Sequence, residues 1–269
     1  MINSTRRSIL LSTLLSPVAA SAARVEIPTK APERDLDKTP WYGNEKIAML
    51  VYPGMTIMDL AGPHCMFGSL MGAKIHIVAK SLAPVTSDAG MVIVPDTTFE
   101  TCPSDVTVLF TPGGTDGTLA AASDAETLSF MADRGSRAKY VTSVCSGSLI
   151  LGAAGLLDGY KATSHWSCRH VLSGFGAIPT EARVVHDRNR ITGGGVTAGL
   201  DFGLTMIAEM RDQVYAECSQ LVSEYDPAPP FHAGTPKEAP ADVTKAMTKL
   251  LTDFVKKAEA LALKAGTSA

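Results

Sequence analysis

The run Val141-Thr-Ser-Val-Cys-Ser-Gly-Ser-Leu149 carries the residue most able to do chemistry, a cysteine set between a strand-forming stretch and a helical one. Val141 to Val144 read as a buried strand, and Ser146 to Leu157 place small and aliphatic residues at helical spacing. Cys145 therefore falls on the strand-to-helix turn. A sharp turn of that kind lifts a nucleophile off the sheet edge, and the N–H groups that open the next helix favour negative charge beside it. The spacing predicts a thiolate at residue 145, the form of cysteine that attacks. The same position also suits a small buried apolar residue, the ordinary role of a free thiol.

Three other places offer partners to that sulfur. Asp59, in Thr56-Ile-Met-Asp-Leu-Ala-Gly-Pro63, is a carboxylate among apolar neighbours. It either caps its helix or, facing a thiol, acts as a partly desolvated acid–base group. Gly113 and Gly114 follow the apolar run Val106 to Phe110 and let backbone N–H groups come close to a reacting centre. The N–H of Gly114, with that of Ser146, is the candidate oxyanion hole, although ordinary turns use Gly-Gly as well. His165 lies beyond a short strand at Lys161 to Ser164 and is either a dyad partner of Cys145 or a histidine satisfied locally.

These residues need a scaffold that brings strand ends together. Ile47 to Tyr52, Lys74 to Ala79, Met91 to Val94, Val106 to Phe110 and Val141 to Val144 read as strands, separated by helical stretches at Thr56 to Leu70 and from Thr115 to Arg137. Arg183 to His186 and Arg190 to Thr192 form a hairpin, and a long helix follows with Leu200, Leu204, Ile207 and Met210 inward and Asp201 capping its first turn. Repeated β-α-β order predicts a parallel sheet with helices on both faces and a site beyond the carboxyl ends of its strands. Asp59, Gly113-Gly114 and Cys145 all meet that rule.

A net charge of −3 over 269 residues, without a basic run beyond the first residues, gives no footprint for nucleic acid. The five cysteines are scattered singly, and neither zinc-site spacing nor a dinucleotide motif is present, so no metal or cofactor is expected. Residues 1–23, with Arg6-Arg7 ahead of the apolar Ile9 to Leu15 and Ala20-Ser-Ala22 at the cleavage end, read as a twin-arginine-type leader to the periplasm. The apolar run is too short for a comfortable span, so no stable membrane insertion is expected after cleavage. Residues 24–44 read as an extended linker, 45–236 as the catalytic domain, and 237–269 as a helical extension with Val243, Met247, Leu250, Phe254, Ala258 and Leu261 on one face.

Asp59-Leu-x-Gly-Pro63, Pro112-Gly-Gly114, Val141 to Leu149, Ala162-Thr-x-His-Trp166, Thr192-Gly-Gly-Gly-x-Thr-Ala-Gly-x-Asp-Phe202 and Glu224-Tyr-Asp-Pro-Ala-Pro-Pro-Phe231 together resemble the ThiJ/PfpI superfamily, and within it the isonitrile hydratases. The resemblance implies a flavodoxin-like three-layer α/β sandwich with a mostly parallel sheet, a homodimer, and a small-molecule substrate handled without a cofactor. It implies Cys145 as nucleophile, Asp59 beside it, and hydration of isonitriles to N-substituted formamides. Ser146 stands where those hydratases have Thr; it keeps the hydroxyl, and is expected to bond the carboxylate or lend its N–H. Superfamily peptidases place His directly after the Cys, which Ser146 argues against. A deglycase or glyoxalase-like activity and a non-catalytic redox sensor are the alternatives. The regulators of the superfamily need a helix-turn-helix domain, for which the residues after Pro236 are too few. The leader makes its own prediction: replacing Arg6 and Arg7 by Lys holds the protein in the cytoplasm, which cell fractionation detects, and unchanged export contradicts a twin-arginine signal.

Overall fold

The computed structural model describes residues 35–266, so the expected leader and residues 24–34 of the expected linker lie outside the described residues. Seven strands form one sheet in the order β10-β11-β7-β6-β1-β2-β5. They are β1 (Lys46–Leu50), β2 (Lys74–Ala79), β5 (Thr97–Thr98), β6 (Val108–Thr111), β7 (Tyr140–Val144), β10 (Val184–Asp187) and β11 (Arg190–Gly193). Every pairing is parallel except the β10–β11 hairpin. The short pairs β3 (Val85–Thr86) with β4 (Val92–Ile93), and β8 (Lys161–Ala162) with β9 (Ile178–Pro179), stand apart from it.

The central strands are apolar runs because helices cover both their faces. β6 and β7 are buried at every position. One helical layer holds α1 (Ile57–Phe67), α5 (Ala198–Met210) and α6 (Gln213–Val222). The other holds α2 (Asp116–Ala121), α3 (Ala125–Gly135), α4 (Gly147–Ala153) and part of α7 (Ala241–Gly266). This is the parallel sheet with helices on both faces that the alternation predicts, and the mostly parallel, flavodoxin-like sandwich that the resemblance implies. Parallel pairing lines up the ends that matter: Thr111 lies opposite Ser143 and Gly193 opposite Val144, so the turns after β6, β7 and β11 meet above one edge.

Local chemistry explains where the elements depart from expectation. The stretch to Arg137 is two helices, because Asp124 accepts the Thr127 N–H at 2.7 Å and starts α3 anew. α5 buries Phe202, Met206 and Ile207, while Leu200, Leu204 and Met210 are only half-buried. Its closest face is set by Gly199 and Gly203, which lie against Pro63 and Met66 of α1. Asp201 lies in the first turn of α5, where its charge suits the helix start, and it also pairs with Arg183 and accepts from the Tyr225 hydroxyl at 3.1 Å, bracing the start of β10. α7 packs through Phe254, Ala258 and Ala262, whereas Val243, Met247 and Leu250 on its first half remain exposed. The last part of the expected linker is docked: the Trp41 ring lies 5.3 Å from the Tyr215 ring and the Gly43 N–H donates to the Met71 carbonyl at 3.0 Å. Among the described residues no helix is long and apolar enough to cross a membrane.

A Cβ at Gly203 would stand 2.5 Å from the Met66 Cβ, which has no rotamer freedom to retreat. Gly203→Ala is therefore expected to force α5 from α1 and to cost about 1–3 kcal/mol in urea unfolding; an unchanged midpoint contradicts this packing.

Candidate active site

β7 enters the turn at Cys145, whose φ of +58° puts a residue bearing a Cβ in the left-handed region. The surroundings fix it there. The Cys145 N–H donates to the Gly194 carbonyl at 2.7 Å and the Gly193 carbonyl at 3.1 Å, and its own carbonyl accepts from the Ser164 hydroxyl at 3.1 Å. Two residues on, Gly147 lies so near the Thr111 and Pro112 carbonyls that a Cβ would come within 2.5 Å of each. The glycine after the elbow serves close approach of two turns.

Asp59 reaches this turn from the first turn of α1 and is fully buried. It does not cap its helix. Asp88, from the loop between β3 and β4, does so: its carboxylate accepts from the Thr56 hydroxyl at 2.7 Å and the Ile57 N–H at 3.3 Å. The Asp59 Oδ2 instead accepts the Gly113 N–H at 3.0 Å. Its Oδ1 is buried with no partner of hydrogen-bonding geometry, while the carboxyl as a whole interacts with the Cys145 thiol. Burial lifts the Asp59 carboxyl to about 7, against the lowering effects of the Cys145 and Gly113 contacts.

The sulfur does not titrate low. Cys145 is 6% exposed, and burial, then the Asp59 charge and the Cys168 thiol, push it well above the ordinary cysteine range. The Ser146 N–H bonds the sulfur and works in the opposite direction, but it does not prevail. The thiolate expected from a helix N-terminus is thus corrected: seven residues of α4 cannot offset a dry pocket shared with a carboxyl. At neutral pH the pair holds a protonated thiol beside a carboxyl poised between its two forms.

The glycine turn is also rearranged relative to expectation. A Cβ on Gly113 would meet the Ser146 N at 2.6 Å and the Asp59 Oδ2 at 2.9 Å, so only glycine fits between them. The Gly114 N–H is taken by the Ser146 Oγ at 2.9 Å, and that hydroxyl donates to the Gly114 carbonyl at 2.6 Å. Gly114 is therefore not an open oxyanion donor, and the Ser146 hydroxyl bonds the turn rather than Asp59. The Ser146 N–H remains directed at the Cys145 sulfur. His165 is satisfied locally, its Nδ1 lying 2.8 Å from the Ser167 Oγ, and burial with Arg169 nearby holds its imidazole below the usual range. It does not figure among the groups acting on the Cys145 thiol. Ser164 and Gly194, which bond the Cys145 backbone, also line a cavity of about 440 Å³ with His165, Trp166, Arg169 and Arg183.

Sequence reasoning passed over Tyr52, Asp88, Thr118 and Cys168. Each is an ordinary residue type with no motif around it, and each reaches the site from a separate turn. Chemically, the arrangement can deliver a proton from sulfur to carboxyl and onward, in a place from which water is largely excluded. The Asp59→Asn protein is expected to titrate its thiol at lower pH and to alkylate faster near neutrality, since the like charge is gone. Because the folded Asp59 titrates above the ordinary value near 3.8, its stabilising contribution is complete at low pH and is lost as pH rises through about 7. The Asn variant should therefore melt higher than wild type at pH 8 and lose that advantage at pH 5; equal differences at both pH values contradict a raised carboxyl.

Residues 45–209 match the DJ-1/PfpI family. The chain is 47% identical to an isonitrile hydratase from Pseudomonas putida over 198 residues, covering 74% of this chain and 86% of that one. A solved ThiJ/PfpI family protein from Pseudomonas syringae is 76% identical, with a TM-score of 0.84 over 88% of this chain and 98% of that chain. A DJ-1 superfamily protein from Salmonella typhimurium, 24% identical, shares the fold with a TM-score of 0.61 over 68% of this chain and 99% of that chain.

Proposed function

This chain belongs to the DJ-1/PfpI family, and from that premise we propose that it hydrates isonitriles to N-substituted formamides, with Cys145 as nucleophile and Asp59 as proton carrier. The observation that carries the reading is the buried carboxyl, poised near 7, beside the thiol of a strained elbow. The 47% identity to the Pseudomonas putida isonitrile hydratase supports the substrate class.

The Asp59 carboxylate takes the thiol proton as the sulfur attacks the terminal carbon of R–N≡C, and returns that proton to the same carbon. The product is a thioimidate, Cys145–S–CH=N–R. Water then adds to this carbon, Asp59 removing one proton and passing it to nitrogen. Collapse of the tetrahedral adduct breaks the C–S bond, releases R–NH–CHO and returns the hydroxyl proton to the sulfur by way of the carboxyl. One water is consumed, and no electron is gained or lost. Protonating this carbon after the sulfur has given up its proton needs a group that can take and release a proton near neutral pH, which a carboxyl near 7 does and an ordinary Asp does not. The Ser146 N–H steadies the charge that appears on sulfur in each half-reaction.

The same proposal places the enzyme in the periplasm on its paired arginines, as a homodimer on its family likeness. It is tested by incubating purified protein with a simple alkyl isonitrile and measuring formamide. Cys145→Ser is expected to lower kcat by at least about 10³-fold without unfolding the protein, and residual activity within about tenfold of wild type would refute the nucleophile. The starting state needs the carboxylate as base, so kcat/KM should fall below about pH 7, where Asp59 is protonated. That acid limb should vanish with Asp59→Asn, whose residual activity drops by roughly 10²–10⁴.

A further inference from the structure

A set of buried hydroxyls lies under the turn that holds Asp59. The Tyr52 hydroxyl donates to the Pro112 carbonyl at 2.7 Å and stands 2.9 Å from the Thr118 Oγ1, which in turn is 3.3 Å from the Ser146 Oγ. The protons can be placed by exclusion. Tyr52 spends its proton on the Pro112 carbonyl and Ser146 spends its own on the Gly114 carbonyl at 2.6 Å. Thr118 then has one proton for two acceptors, and the nearer is the Tyr52 oxygen, at 2.9 Å against 3.3 Å to the Ser146 Oγ. Between the two carbonyls, that of Gly113 accepts the Thr56 N–H at 2.8 Å. Three consecutive carbonyls of the turn are thus pinned by three different elements, with the Gly113 N–H pointing to Asp59 at 3.0 Å.

Two of these bonds belong to one peptide group. The carbonyl that accepts from Tyr52 and the N–H that donates to Asp59 are the two ends of the Pro112–Gly113 peptide. A peptide whose oxygen accepts a hydrogen bond is polarised so that its N–H donates more strongly. We infer that Tyr52 is a positioning residue that acts on the Asp59 carboxyl across the Pro112–Gly113 peptide, with Thr118 strengthening the phenol as a donor. Tyr52 touches neither substrate nor sulfur in this role. It stabilises the carboxylate form of Asp59 from the far side of a planar amide and keeps the Gly113 N–H at its present reach. The inference deepens the proposed chemistry by naming what sets the proton carrier, and rests on that reading for its consequence in turnover only.

The test reads the carboxyl itself. Protein labelled with ¹³C at the aspartate carboxyl carbon is titrated by NMR, with Asp59→Asn identifying the signal, whose midpoint is expected near 7. Asp88, the Cys145 thiol and the Tyr52 phenol also face this carboxyl or its pair, and Cys168 faces the sulfur; all four are retained in the reference protein. Tyr52→Phe, which removes one oxygen and keeps the ring, should raise the Asp59 midpoint by about 0.2–0.6 pH unit, the effect of losing some tens of per cent of one charge-assisted hydrogen bond. The acid limb of kcat/KM should move up by the same amount. A lowered melting temperature with an unmoved midpoint would overturn the inference and leave Tyr52 as core packing. Should Tyr52→Phe not accumulate as folded protein, Thr118→Val tests the same relay. It should raise the midpoint by a smaller step that Thr118→Ser abolishes, and an unmoved midpoint in Thr118→Val overturns the inference equally. The carboxyl titration needs no isonitrile, so a protein that fails to make formamide still decides the question.

Discussion

A left-handed backbone at a residue with a side chain costs about 1–3 kcal/mol and persists only where its surroundings leave it no alternative. Cys145, at φ +58°, is such a residue, and the architecture supplies the constraint from three directions. Gly193, the last residue of β11, and Gly194 just after it both accept the Cys145 N–H. The Ser164 hydroxyl holds the Cys145 carbonyl from the segment after β8. Gly147 lets the next helix begin against the end of β6. Register carries this constraint through the sheet: with Gly193 opposite Val144 and Thr111 opposite Ser143, a slip of one residue in either ladder would separate the turns that meet at the sulfur.

What the constraint produces is a shared proton. Neither the thiol nor the carboxyl can ionise cheaply in a site this buried, and they cannot both do so side by side. The pair therefore titrates as a unit, with one negative charge available to be moved between oxygen and sulfur as a substrate requires. Its position near neutrality follows from burial, which the contacts to the Cys145 thiol and the Gly113 N–H offset only in part, Oδ1 having no partner of hydrogen-bonding geometry. A second N–H donor would have favoured the carboxylate and returned it toward the ordinary range. The Ser146 hydroxyl, which could have been such a partner, is committed to both polar groups of Gly114.

The elements that position the site were legible wherever local pattern and tertiary environment agree. The apolar run before Cys145, the hairpin around Arg188 and the glycine pairs each imply a turn that the fold contains. The role of Asp59 was not decidable from spacing, because the residue that caps its helix, Asp88, comes from a loop that no local pattern connects to it. The direction of the thiol shift was misread for a related reason: a helix N-terminus is visible in sequence, whereas the burial that outweighs it is a property of the assembled core. The α5 face was predicted from its leucines, yet small residues govern it, since Gly199 and Gly203 admit α1 to closer contact than a leucine stripe would. The first half of α7 carries an apolar stripe, Val243, Met247 and Leu250, that is exposed among the described residues, so its periodicity showed the helix but not where it packs. Tyr52 and Thr118 show the same limit, since hydroxyls matter here by what they touch across 60 and 66 positions of chain.

The central claim is that the Cys145 sulfur forms a covalent bond to the substrate carbon. The most direct measurement mixes the protein with an alkyl isonitrile carrying ¹³C at its terminal carbon, quenches with acid, and follows the labelled carbon by mass spectrometry of a peptic digest kept at low pH. The account predicts one labelled carbon per chain, held as the thioimidate or as the thioformate left when acid hydrolysis releases its amine, on the peptide containing Cys145. Formamide production with Cys145 unmodified at every quench time, or an adduct confined to another of the five cysteines, would contradict it.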